Sequence, residues 1–215
     1  MKMELIPRHL PNVGVMEGKL PEETIDDLWK LIEEAKKEPD EMKSELAGNI
    51  SSSLRLDPSS PLVKNFVQNI IPLYIEHTIK SYGIPHRLNM KEDQSWGLKS
   101  FWVNFQKQNE FNPPHDHDGV YSFVIWMKIP TSFAEQRELP IARDSNATNV
   151  ISNFAFHYTN TEGRVCQFAY NMEKEAEGYM VMFPSDMKHE VFPFYENDGV
   201  RISISGNLEL INVAT

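Results

Sequence analysis

Apolar positions along this chain recur with two periods, helical in the first third and strand-like from Trp96 onward. Ile25, Leu28, Trp29, Ile32 and Ala35 keep the three-and-four spacing of one helix face, which predicts an amphipathic helix over residues 22–37. Pro21, Glu22 and Glu23 stand where a helix N-terminus favours proline and acidic groups. A second helix is predicted over residues 62–81, with Val63, Phe66, Ile70, Leu73, Tyr74, His77 and Ile79 on its inner face. Pro72 is a candidate kink, and Gly83 and Pro85 end the helix. Between the two, residues 45–61 are polar and rich in Ser, as in a surface connection with a short extended piece at 50–56.

After Trp96, short runs of Val, Ile, Phe and Tyr are separated by Gly, Pro, Asn and Asp, the texture of an antiparallel sandwich or barrel. Predicted strands are 99–107, 114–117, 121–129, 149–156, 165–170, 179–183, 189–193 and 201–209. Eight strands fit a double-stranded β-helix, or jelly roll, which manages its exposed sheet edges. The expected fold is therefore mainly β with N-terminal helices, in one domain: residues 1–95 as helical support and 96–215 as the jelly-roll core. Residues 131–148 are too charged for a core and long for a connection, so they are a candidate lid or substrate loop.

The alternation also separates wet from dry faces. In the last strand Arg201, Ser203, Ser205 and Asn207 alternate with Ile202, Ile204 and Gly206. A solvent-facing strand shows the same pattern, but an Arg followed two residues later by Ser also suits a carboxylate. Trp102, Asn104 and Gln106 share a face in the same way, as an exposed row in an ordinary sandwich. His115 and His117 lie on one face of an extended strand and can reach one ion, with their approach stiffened by Pro113 and Pro114. His189, on a distant strand, would complete a facial set of three ligands with open positions, as non-haem iron requires. His9, His77, His86 and His157 have no partner at ligand spacing and are read as structural; Met172, Met180, Met182 and Met187 are read as core filler rather than copper ligands.

Composition narrows the classes. At 215 residues one sizeable core suffices. There are 31 acidic against 21 basic residues and a formal charge of −10, which disfavours nucleic acid and anionic membranes as partners. Cys166 is the only cysteine, so an internal disulfide is excluded and a reducing compartment is expected. Residues 1–14 lack an apolar signal-peptide core, and no apolar run reaches membrane-spanning length, which predicts a soluble, cytoplasmic protein. Apolar residues at 40% exclude a disordered chain. Oligomeric state is not legible.

Six segments carry a resemblance to the 2-oxoglutarate- and Fe(II)-dependent oxygenases, in particular small ones of marine phage and bacteria. They are Trp102-Val103-Asn104-Phe105, Asn112-Pro113-Pro114-His115-Asp116-His117, Ser122-Phe123-Val124-Ile125, Met182-Phe183-Pro184-Ser185, His189-Glu190-Val191 and Arg201-Ile202-Ser203-Ile204-Ser205-Gly206-Asn207. The resemblance implies an enzyme with Fe(II) and 2-oxoglutarate as cofactors, hydroxylating a peptide or small molecule. It implies that Arg201 and Ser203 hold the distal carboxylate of 2-oxoglutarate, that the face bearing Asn104 lines the pocket, and that His189 is the distal ligand. The chain departs from the family's commoner pattern, a histidine followed two residues later by Asp or Glu. Two beyond His115 stands His117, and two beyond His117 stands Gly119. Three arrangements follow. His117 replaces the carboxylate in a three-imidazole set, which needs no broken alternation; Asp116 or Asp118 coordinates through a bulge; or His115 and His189 bind alone and His117 meets substrate. A different class of function, a non-catalytic jelly-roll module with a structural metal or none, has no use for a carboxylate clamp at Arg201.

Overall fold

The computed structural model describes residues 14–82, 94–143 and 150–212. Two antiparallel sheets face each other. The larger has the order β1 (Met16–Lys19), β8 (Tyr179–Pro184), β5 (Tyr121–Lys128), β10 (Arg201–Asn212), β3 (Gln94–Gln106), β2 (Ser52–Arg55). The smaller has the order β4 (Asn112–His115), β9 (His189–Val191), β6 (Phe154–Thr159), β7 (Val165–Tyr170). This is the expected jelly roll, and the N-terminal region contributes more than helical support because β1 and β2 are the two edge strands of the larger sheet.

Strand alternation sorts the side chains of the large sheet into two layers. Phe101, Val103, Phe123, Ile125, Met180, Met182, Ile202 and Ile204 turn outward and are covered by Leu28, Ile32, Phe66, Ile71 and Ile75 from the helices. Their alternate neighbours Val124, Trp126, Val181 and Phe183 turn inward against Phe154, Phe156 and Met172. A central strand covered on both faces reads as an unbroken apolar run, and β5 is buried along all but its last residue. The methionines at 172, 180 and 182 fill core as expected.

Helix α1 (Glu22–Lys37) keeps its predicted bounds, with Ile25, Trp29 and Ala35 flanking the buried Leu28 and Ile32. The second helix differs from its prediction in phase. It runs as α2 (Val63–Asn65), a π turn (Phe66–Ile70) and α3 (Ile71–Tyr82). Pro72 has no N–H to donate, and the wider turn that precedes it inserts one residue into the helical repeat. Buried positions therefore pass from 63, 66 and 70 to 71, 75 and 78, which leaves the expected inner residues Leu73 and His77 exposed. The predicted stop at Gly83 and Pro85 lies outside the described residues, as do His9 and His86. No helix among the described residues is long and apolar enough to cross a membrane.

The charged stretch after β5 folds into α4 (Phe133–Glu138) and α5 (Pro140–Arg143). Gln136 is buried and clamps the β9–β10 connection by exchanging hydrogen bonds with the backbone of Tyr195, Nε2 donating at 2.8 Å and Oε1 accepting at 2.9 Å. None of residues 131–143 lines the cavity between the sheets.

Candidate metal centre and anion pocket

One end of the space between the sheets holds three imidazoles. His115 is the register partner of His189 across β4 and β9, and antiparallel partners project to one side. The chain then leaves β4, and the His117 N–H donates to the Ser185 carbonyl at 2.9 Å, which brings the third ring in. Ring centroids are 4.9 Å apart for His115 and His117, 4.2 Å for His115 and His189, and 4.9 Å for His117 and His189. One nitrogen from each ring lies within 4.8 Å of the others, close enough to share an ion.

The surroundings prepare those nitrogens as donors of lone pairs. Nδ1 of His115 lies 2.7 Å from the Pro113 carbonyl and Nδ1 of His189 lies 3.0 Å from the Met187 carbonyl. A carbonyl only accepts, so in the neutral rings Nδ1 carries the proton and Nε2 the free pair. Burial pushes the pKa of His117 down to about 4, with His115 adding to the effect, and holds His115 below and His189 well below the ordinary imidazole range. All three are therefore neutral near pH 7. Phe154, Phe156 and Phe183 pack around His189, and the edge of Trp102 meets His117 at 5.6 Å.

Neither Asp116, which lines the cavity beside His115 and His117, nor Asp118 belongs to the group of nitrogens within reach of one ion. Asp116 pairs with Lys188 at 2.6 Å, and Asp118, almost fully exposed, lies 3.9 Å from Lys99. His157 pairs through Nε2 with Glu190 at 2.7 Å, and Gln167 donates to the same carboxylate oxygen. The donor set facing the cavity is thus three neutral imidazoles, a set that suits iron or zinc with positions left open.

The cavity, about 190 Å³, continues from the imidazoles to Arg201. β10 carries Arg201, Ser203 and Ser205 along its wall opposite Gln106, Asn104 and Trp102 of β3, their register partners. The row on β3 that could have faced solvent is instead buried. Asn104 accepts from the Ser53 hydroxyl through Oδ1 at 2.8 Å, which leaves its amide nitrogen as the remaining donor group.

Arg201 is only 3% exposed and has no carboxylate within ion-pair distance among the described residues. Nη1 donates to Gln106 Oε1 at 3.3 Å, Nη2 donates to the carbonyl and hydroxyl of Ser152 at 2.7 and 2.6 Å, and the buried Nε has no partner among the described residues. The guanidinium lies over Phe194 at 5.1 Å. Burial lowers its pKa to about 9, still above neutrality, so the group is a desolvated cation in need of an anion.

Two contributors to the site carry no motif. Ser152, fully buried, holds Arg201 from behind the cavity wall. The other is the rim formed by Lys43, Glu45, Leu46, Ala47, Gly48 and Ile50, within or beside the polar stretch expected to be a surface connection. A backbone bridge between Asn49 and Phe111 ties this rim to the chain entering β4. Gly48 lets the rim approach β4 closely, since a Cβ there would meet Asn112 Oδ1 at 2.1 Å.

Residues 100–207 match the family model described as "Putative 2OG-Fe(II) oxygenase". Among solved structures, a Pseudomonas putida prolyl-4-hydroxylase is similar over 94% of each chain, with 13% identity and a TM-score of 0.54. A Trichoplax adhaerens prolyl hydroxylase, solved with a hypoxia inducible factor oxygen degradation domain peptide fragment, matches over 93% of this chain and 84% of its own at 10% identity and a TM-score of 0.53. SnoN, a non-heme alpha ketoglutarate dependent epimerase from nogalamycin biosynthesis, matches over 93% and 78% at 11% identity and 0.56. At such identities these structures speak to the fold. No curated protein matches the chain.

Proposed function

The chain belongs to the 2OG-Fe(II) oxygenase family, and from that premise we propose that it is a hydroxylase whose His115, His117 and His189 hold Fe(II) while Arg201, Ser203 and Asn104 receive 2-oxoglutarate. When bound, the iron and the 2-oxo acid together supply the activation of dioxygen that oxidises a substrate C–H bond. The observation that carries this reading is the buried guanidinium: a cation without a counter-ion among the described residues, in the same cavity as three convergent neutral imidazoles. A structural metal site would not need it.

The protein's own contribution is binding and exclusion of water. Arg201 offers the distal carboxylate a charge not neutralised by any carboxylate among the described residues, and the Ser203 hydroxyl stands next to it on the same wall. The aromatic shell around His189 keeps that end of the cavity apolar, which strengthens each polar contact made there. Substrate reaches the open side past the 43–50 rim. A peptide is one candidate class, supported by the peptide-bound prolyl hydroxylase of the same fold, and a small metabolite is the other. The direct test is a succinate-release screen of the Fe(II)-loaded protein against peptide and metabolite libraries. Substrate-dependent succinate with a product heavier by one oxygen is expected; a product isomeric with its substrate would overturn the hydroxylase assignment.

A further inference from the structure

Ser152 stands in the turn leading into β6 and holds Arg201 through two of its own atoms. Its carbonyl and its hydroxyl both accept from Nη2, at 2.7 and 2.6 Å. Both oxygens meet one nitrogen in a residue whose φ is +63°, a left-handed conformation that residues other than glycine seldom adopt, and whose exposure is 0%. The turn is held from behind, since the Ser152 N–H donates to the Pro193 carbonyl at 3.0 Å and Thr131 Oγ1 lies 3.3 Å from Ser152 Oγ. A strained conformation that its surroundings over-determine is a recurring mark of functional positions.

The chemistry of the contact matters as much as its geometry. Both Ser152 oxygens are neutral, as is Gln106 Oε1 on the other terminal nitrogen, so the guanidinium is fixed while its charge remains unspent. A carboxylate in their place would hold the arginine equally well and compete with any incoming anion.

We propose that Ser152 is a positioning residue for 2-oxoglutarate, fixing the orientation of Arg201 through neutral acceptors on Nη2 while the charge of the guanidinium stays available to the distal carboxylate. This rests on the reading of Arg201 as the cosubstrate anchor. Without the Ser152 hydroxyl, Nη2 keeps only the carbonyl contact and the guanidinium loses part of what fixes its orientation.

The test is calorimetric titration of Fe(II)-loaded parent, Ser152→Ala and Ser152→Gly, under argon, with two probes. One is 2-oxoglutarate and the other 2-oxobutyrate, which has the same 2-oxo acid head but no distal carboxylate. Both variants are expected to lose about tenfold in 2-oxoglutarate affinity, the scale of one hydrogen bond to a charged group, and to bind 2-oxobutyrate and Fe(II) as the parent does. Glycine accepts the positive φ without cost, so that variant keeps the test available if alanine impairs folding. Unchanged 2-oxoglutarate binding, or equal losses for both probes, would overturn the inference while leaving the cosubstrate reading intact. A parent that fails to bind 2-oxoglutarate would overturn both.

Discussion

Asp116 and Asp118 flank His117 in sequence, yet their side chains pair with Lys188 and Lys99. Asp116→Ala and Asp118→Ala should therefore bind Fe(II) nearly as tightly as the parent in anaerobic titration. His189→Ala should abolish binding and His115→Ala or His117→Ala should weaken it strongly, because loss of one of three ligands leaves a poor site for a hydrated divalent ion. Loss of metal in either Asp variant with retention in His117→Ala would replace the three-imidazole set by one with a carboxylate. The cluster also sets a pH dependence. An unfolded histidine titrates near 6.5, whereas folded His117 titrates near 4. Between those values the unfolded chain binds a proton that the folded site refuses, so metal-free stability is full above the window and falls as pH drops through it. The melting temperature of the apo protein should be lower at pH 5 than at pH 7, and His117→Asn should flatten that slope; an undiminished slope would place the effect elsewhere.

At the scale of elements, β10 joins the site to the core. Arg201 and Ser203 face the cavity while Ile202 and Ile204 face the helices, and the next residue of the dry row is Gly206. A Cβ there would lie 2.5 Å from Cζ of Phe123, a ring fully buried and wedged by Phe66 and Phe101. Gly206→Ala should thus cost about 1–3 kcal/mol by overpacking, read as a lower melting temperature; an unchanged one would mean that the Phe123 ring has room to move. This alternation of β10 was legible from its polar and apolar positions, as were α1 and β7, because each pattern is complete within one element. The phase of α3 was not legible: the π turn before Pro72 breaks the helical count, and only packing reveals the break. The start of β6 also moved, from the predicted 149 to Phe154, because Ser152 leaves the extended region to reach Arg201. His115, His117, His189 and Arg201 could be picked out because their spacing on strands implies a shared face. Ser152 and the 43–50 rim could not, since one reaches Arg201 and the other the cavity through contacts distant in sequence.

For the molecule as a whole, the helices and the small sheet press on opposite faces of one large sheet, and the cavity lies on the side away from the helices. Occupying it should stabilise the fold. With each ligand at a hundred times its dissociation constant, one bound ligand contributes about 2.7 kcal/mol, and a domain of this size gains about 2–4 °C per kcal/mol. Addition of 2-oxoglutarate to the Fe(II)-loaded protein should then raise the melting temperature by about 5–10 °C, and no rise would mean that the cavity is not its site. The central claim, that Arg201 is an anion anchor beside a metal, is tested most directly by calorimetric titration of 2-oxoglutarate into the Fe(II)-loaded parent and Arg201→Lys proteins. A lysine keeps the charge but has no planar fork to share among Ser152, Gln106 and a carboxylate. The account predicts measurable binding to the parent and a loss of about tenfold to a hundredfold in Arg201→Lys, with Fe(II) affinity nearly unchanged; equal 2-oxoglutarate affinity in the two proteins, or none in the parent, would contradict it.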